Sequence, residues 1–175
     1  MLREIQWEQA ITLASPYPYV LAVTLDKTGR PNAIGLGWWT YVSWSPPMVA
    51  IAVGRERYSH ECLTHIPEFV LCFPSEEQAN GAWLCGQVSG RDRDKLSECG
   101  FTTRPAKAVR PPLIEGATVC LECRVTQRIS AGDHDLFIAE VVAIHGDLER
   151  KKHLYSIGYR ALAALSHDEP TPLVL

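Results

Sequence analysis

The stretch Thr118-Val-Cys-Leu-Glu-Cys-Arg-Val-Thr-Gln-Arg-Ile-Ser130, Ala131-Gly-Asp-His-Asp135, Leu136-Phe-Ile-Ala-Glu-Val-Val-Ala-Ile-His-Gly-Asp147 decides the fold class. Apolar and β-branched residues fill both flanks, and a short glycine-bearing loop separates them. That pattern predicts two long antiparallel strands joined as a hairpin. Working outward, similar runs predict strands over 19–26, 32–39, 48–53 and 68–73. The turn Lys27-Thr28-Gly29-Arg30-Pro31 joins the first two, and Ser45-Pro46-Pro47 breaks the chain before the third. Helical expectations are short. One covers 5–14 and is stopped by Ser15-Pro16-Tyr17-Pro18; a second is capped by Ser59 and ends before Pro67. A third starts at Ser75-Glu76-Glu77 and runs to about Gln87, and a brief one over 92–99 closes at Gly100. A last helix is expected over 155–165, where Leu162 and Leu165 with intervening alanines make an apolar stripe. The βα alternation of a parallel sheet is missing, so the expectation is a mainly β, closed antiparallel barrel with short peripheral helices.

The 175 residues suit one domain spanning 1–175, with 46% hydrophobic and 21% charged residues. A net charge of −3 without a basic stripe argues against nucleic-acid binding. No run approaches the ~20 apolar residues of a membrane helix. The start, Met1-Leu2-Arg3-Glu4-Ile5-Gln6-Trp7, lacks the pattern of a secretory signal, so a cytoplasmic protein without membrane association is expected. Six cysteines are scattered along the chain. Cys120-Leu-Glu-Cys123 has metal-ligand spacing but no second pair, and in a strand its two thiols face opposite ways. Buried thiols and no metal are therefore expected.

Phosphate-binding glycine loops, a Gly-x-Ser-x-Gly nucleophile and a His-Glu-x-x-His pair are all missing from the sequence. Three segments remain. In residues 32–47, two glycines stand beside Trp38 and Trp39, offering open backbone and flat apolar surface. A planar heteroaromatic ring uses both, and a barrel core with an aromatic edge uses them equally well. Arg55-Glu-Arg57-Tyr58-Ser59-His60 combines guanidinium, hydroxyl and a helix start, which suits a phosphate or simply a solvated turn. Gly132-Asp133-His134 puts a titratable ring at a hairpin tip, as a functional group or as an ordinary loop residue.

Taken in order, these segments resemble the flavin reductase-like family of FMN-binding split barrels, its flavoredoxin branch above all. The resemblance rests on Gly29-x-Pro31-Asn32, Ser43-x-x-Pro46-Pro47, Arg57-Tyr58-Ser59 and Phe69-Val70. It continues through Cys85-Gly86-x-x-Ser89-Gly90-Arg91-Asp92-x-Asp94-Lys95, Glu115-Gly116, Leu121-Glu122-Cys123-Arg124, Gly132-Asp133-His134 and Tyr155-x-Ile157-Gly158. It implies a Greek-key split β-barrel and a homodimer that holds FMN, or FAD in its place. By position, Gly37, Trp38, Trp39 and Thr40 would border the ring and ribityl chain. Ser43, Arg57, Tyr58 and Ser59 would lie by the phosphate, with Ser89 and Lys95 as further contributors from the same or the partner subunit. His134 would stand where a nicotinamide approaches. The implied activity is hydride transfer from NADH or NADPH to bound flavin, and onward to an acceptor that can be a protein. The alternatives are a flavoredoxin-like carrier without its own nicotinamide site and a cofactor-free binding domain. Trp38, Trp39 and Tyr41 stand where many family reductases carry small hydroxyl residues; their bulk narrows the space above the flavin, so a tightly held prosthetic flavin fits as well as one exchanged as substrate.

Overall fold

The computed structural model describes residues 1–150, 152–158 and 161–166. In chain order the elements begin with α1 (Trp7–Leu13), β1 (Tyr17–Pro18), β2 (Val20–Leu25), β3 (Pro31–Leu36), β4 (Trp39–Trp44), β5 (Pro47–Gly54), α2 (Tyr58–His65) and β6 (Glu68–Phe73). A 3-10 turn (Glu76–Gln78) then leads into α3 (Ala79–Gln87), α4 (Lys95–Glu98), β7 (Thr103–Arg104) and β8 (Leu113–Ile114). The chain closes with β9 (Val119–Ala131), β10 (His134–Gly146), β11 (Lys152–Gly158) and β12 (Ala161–Ser166). The expected long hairpin is β9–β10, paired from His134↔Ala131 to Gly146↔Val119. Gly132, at φ +60°, allows its tight turn, a backbone region that L side chains rarely enter. Asp135 lies inside β10, so the loop is shorter than the sequence suggests.

Seven strands form one antiparallel sheet in the order β3-β2-β6-β9-β10-β5-β4. Its two outer strands are consecutive in the chain, with only Gly37 and Trp38 between Leu36 and Trp39. Three trans peptide steps span at most about 11 Å, so the two edges must meet and the sheet must roll into a barrel with a seam there. The fold is thus mainly β, an antiparallel split barrel with short helices around it.

Alternation along the strands builds two cores, one on each face of the sheet. Every residue of β2 is buried. Val20 and Ala22 join Ile51, Phe69, Leu71 and Phe137 inside the barrel, whereas Leu21 and Val23 pack outward against Val70, Ala82 and Cys85 of α3, and Leu96 of α4. Cys120 belongs to the outer core and Cys123 to the inner one, the opposite orientation expected of residues three apart in a strand. Beside Cys120, Glu122 is fully buried on the outer face. It accepts bonds from the Lys107 (2.8 Å) and Val109 (3.1 Å) amides and from the Ala108 amide, and pairs with His145 Nε2 at 2.6 Å. Burial alone would raise this carboxyl, but those amides and His145 outweigh it and hold it below its ordinary value.

Three sequence expectations need correction. The 155–165 region is not helical. Outside residues 159 and 160, which lie beyond the described residues, it forms the β11–β12 hairpin, joined to Tyr17–Pro18 in a three-stranded sheet. Alanine's helix preference is a fraction of a kcal/mol per residue, and strand pairing with packing of Leu162 and Ala164 on the outer core overrides it. The strand expected over 32–39 ends at Leu36, because the chain turns at the seam and starts β4. Ser59 is not the cap of α2: Arg57 occupies that position, and the Ser59 hydroxyl is bonded elsewhere.

Replacing Glu122 with Gln leaves one acceptor oxygen for several donors and should destabilise the protein by about 3 kcal/mol in urea unfolding. Because the folded carboxyl is depressed, its contribution is present above about pH 4.3 and is lost as pH falls through the folded value. The E122Q variant should therefore show a flatter loss of stability on the acid side than the parent chain.

Candidate functional site

The turn from β5 into α2 and the chain between α3 and α4 face each other across a cavity of about 210 Å³. Arg57, Ser59, Ser89, Gly90 and Lys95 line it. Lys95 is only 4% exposed, and among the described residues its ammonium meets no carboxylate and no hydrogen-bond acceptor. Burial pulls its pKa below the ordinary value, with Arg57 adding to the effect. Asn32 donates from Nδ2 to Ser59 Oγ at 2.8 Å, while its Oδ1 is buried without a partner. Gly90 packs so closely against that oxygen that a Cβ there would overlap it. An unpaired cation and an unpaired amide oxygen, held side by side in one pocket, are the polar inventory of a binding site.

A second group of residues braces this pocket. Asp26 accepts from the Thr28 amide (2.8 Å) and hydroxyl (2.7 Å), the Arg30 amide (3.0 Å) and the Tyr58 hydroxyl (3.0 Å). Burial opposes the charge on Asp26, but these bonds prevail and its pKa lies well below the carboxylate range. Arg30 then reaches the 90–93 segment, donating to the carbonyls of Gly90 (2.9 Å), Arg91 (2.8 Å) and Arg93 (3.2 Å). Arg91 in turn lies 5.0 Å above the Tyr58 ring and bonds Glu61 at 2.6 Å. Tyr58 is thus a strut whose hydroxyl is already committed.

A wider cavity of about 320 Å³ continues from the first, and Ile34, Arg57 and Gly86 border both. Its wall carries the seam residues Gly37 and Trp38, with His134 opposite and Tyr17 and Ser156 at the side. A Cβ on Gly37 would meet nothing within 4 Å, so backbone is open to a ligand there. Trp38 is 46% exposed, and its ring centroid lies 5.0 Å from that of His134. His134 Nδ1 is 2.7 Å from Asp133 Oδ1. The hairpin tip is anchored by Asp135, which binds His60 Nε2 (2.9 Å), Arg55 Nε (2.9 Å) and Arg128. His60, then Arg55, hold the Asp135 carboxyl far below its usual range.

The structure therefore brings Gly37, Trp38, Arg57, Tyr58, Ser59, Ser89, Lys95 and His134 onto one groove, Ser89 and Lys95 from the same chain as Arg57. It does not bring Trp39, Thr40 or Ser43 there. Trp39 turns inward, donating from Nε1 to Pro18 O at 2.9 Å and packing edge-on to Phe73. Thr40 and Ser43 lie along β4 and line neither cavity, whereas Gly37 and Trp38, in the link before β4, line the wider one. Sequence reasoning missed Asn32, Arg30, Asp26 and Gly86. The motif Gly29-x-Pro31-Asn32 contained the signal, but its side-chain roles depend on contacts with residues 58 to 93. Cys85 also borders the narrow cavity, and burial drives its thiol pKa far upward, so it is no nucleophile.

A rolled antiparallel sheet, split at one seam and grooved beside it, is the architecture of the flavin reductase-like split barrels. A family model described as "Flavin reductase like domain" matches residues 13–163, and the chain belongs to that family. A protein of Archaeoglobus fulgidus is 32% identical over 75% of each chain. An NADH:riboflavin 5'-phosphate oxidoreductase of Streptomyces pristinaespiralis is 33% identical over 75% of this chain and 71% of its own. Flavoredoxin of Desulfovibrio vulgaris (Miyazaki F) superposes with a TM-score of 0.85 at 21% identity, covering 99% of this chain and 97% of that one.

Arg30→Ala removes the donor to the three carbonyls that tie down the 90–93 segment. Hydrogen exchange of residues 90–93 should accelerate at least about tenfold, while the β9–β10 amides keep their protection.

Proposed function

We propose that the chain is an FMN-binding oxidoreductase that takes hydride from NADH or NADPH and passes electrons onward, acting as a homodimer in the cytoplasm. The observation that carries this reading is the continuous groove with an aromatic mouth at Trp38 and His134 and a buried, unpaired Lys95 at its narrow end. The residues present fit a phosphorylated flavin. Lys95 and Arg57 neutralise a phosphate, Ser59 and Ser89 supply hydroxyl donors, and Asn32 Oδ1 accepts from a ligand hydroxyl. Open backbone at Gly37 admits a planar ring edge. Bound FMN supplies the hydride-accepting chemistry. The chain's own contribution is positioning: Arg30 and Tyr58 hold the phosphate pocket in shape, Asp135 fixes the hairpin tip, and His134 offers a hydrogen bond at the mouth.

One feature favours the carrier reading instead. Trp38 leans toward His134 across the mouth, where a nicotinamide would have to stack. Stopped-flow mixing of the FMN-loaded protein with NADH and NADPH separates the two. Rapid bleaching of the flavin band supports the reductase, and an unbleached band that dithionite still reduces supports the carrier. A protein that stays colourless after soaking with FMN overturns both.

Support for self-association comes from β4, which among the described residues pairs only with β5 and exposes Tyr41, Val42 and Trp44, the last 95% exposed. Such an apolar edge suits coverage by a second copy. Trp44→Asp should shift the protein from dimer to monomer in sedimentation equilibrium.

Lys95→Met and Arg57→Ala should each weaken FMN binding about 10–150-fold in a fluorescence titration, the effect of losing one charged phosphate partner. Since burial depresses Lys95, its ammonium form is lost as pH rises through the lowered pKa. FMN affinity of the parent chain should therefore decline toward alkaline pH over a range where K95M shows no change.

A further inference from the structure

Away from the groove, Cys72 on β6 and Cys120 on β9 stand directly opposite each other in register, with sulfur atoms 3.0 Å apart. Opposed residues of antiparallel strands have Cα atoms about 4.5–5.5 Å apart, within the span that a disulfide bridges. Both side chains point into the outer core. Their surroundings differ. Cys72 is sealed, whereas Cys120, 4% exposed, borders an open cavity of about 500 Å³ together with Arg104, Ile114, His145 and Asp147. That cavity shares no lining residue with either part of the groove.

We infer that Cys72 and Cys120 form a dithiol site for small hydroperoxides, in which Cys120 meets the oxidant from the cavity and Cys72 closes a disulfide behind it. The small opening at Cys120 selects for a compact oxidant such as hydrogen peroxide over a bulky disulfide. In the first step Cys120 Sγ attacks one peroxide oxygen. The O–O bond breaks, an S–O bond forms, and the departing hydroxide takes the thiol proton as water. In the second step Cys72 Sγ attacks Cys120 Sγ. The S–S bond forms, the S–O bond breaks, and the hydroxide leaves with the Cys72 proton as a second water. Each sulfur gives up one electron, and the two peroxide oxygens are reduced to water.

Access assigns the roles in that order, since Cys120 borders the cavity and Cys72 is sealed behind it, and the electrostatics point the same way. The hydrogen bond shared with Cys72, backbone at Ile114 and the charge of Arg104 keep the Cys120 thiol below its ordinary pKa against the opposing effect of burial. Burial and the neighbouring Cys120 push Cys72 well above it. Elsewhere, burial raises Cys62 to about 11 and Cys123 to about 12, leaving both as inert core thiols.

The test uses the intact protein, exposed to hydrogen peroxide, blocked with a maleimide after unfolding, and mapped by peptide mass spectrometry. The expected product is a reducible Cys72–Cys120 crosslink, with four of the six cysteines carrying maleimide. In Cys72→Ser, oxidation should stop at Cys120, which then takes a sulfenic-acid label such as dimedone. Six blocked thiols after peroxide, with an unchanged circular dichroism spectrum, overturn the inference. So does a crosslink confined to Cys85 and Cys99, or a Cys72→Ser protein that takes no label at Cys120. The parent-chain crosslink decides the matter even if a serine variant fails to fold.

Discussion

Two residues, Gly37 and Trp38, join the opposite edges of a seven-stranded sheet, and that short covalent link constrains everything around it. With so little chain between Leu36 and Trp39, the sheet has to curl until its edges touch. Curling produces an inside and an outside, and each face then needs its own apolar filling. The uniformly buried β2 follows directly, since it must serve both. So does the seam, where the Ala52 amide donates to Trp38 O and the space beside the Gly37 backbone stays open.

The seam explains where a ligand can sit, and charge placement explains which kind. A buried lysine usually neutralises itself with a carboxylate or loses its proton, because an isolated ammonium in a poorly solvated pocket is costly. Lys95 has no such counterpart among the described residues, while the acidic groups close to the groove are occupied: Asp26 by Arg30 and Tyr58, Asp135 by three cationic or titratable partners. Glu56, at the rim of the narrow cavity, pairs with Arg57 at 3.0 Å, so Lys95 is left as the cation without a carboxylate there. It accords with membership of the flavin reductase-like family.

Much of the barrel was legible from the chain alone, because β-branched alternation is a local signal and the β9–β10 hairpin announces itself over a long stretch. What was not legible depended on contacts far apart in sequence. The β11–β12 hairpin reads as a helix, since alanine and leucine spacing carries no information about the Tyr17–Pro18 edge that recruits it. Arg57, Ser59, Ser89 and Lys95, which line the narrow cavity, stand out in the sequence because they travel in short motifs. Thr40 and Ser43 are close to Trp38 in the chain but line neither cavity, a separation that sequence proximity does not reveal. Arg30 was read as a turn residue, its reach to carbonyls about sixty positions away being invisible without coordinates.

Tyr19 is wedged between two glycines. Its hydroxyl, bonded to Ala82 O, overlaps the space where Gly35 would carry a Cβ and lies 2.7 Å from where Gly86 would carry one. Positions 19, 35 and 86 thus behave as one mechanical unit spanning a barrel strand, its neighbour and the outer helix. A methyl group gained at either glycine demands that the phenol withdraw. Substitutions at those three sites are therefore energetically coupled: a shorter side chain at position 19 frees the space that a Cβ at either glycine needs and reshapes the floor between the two halves of the groove.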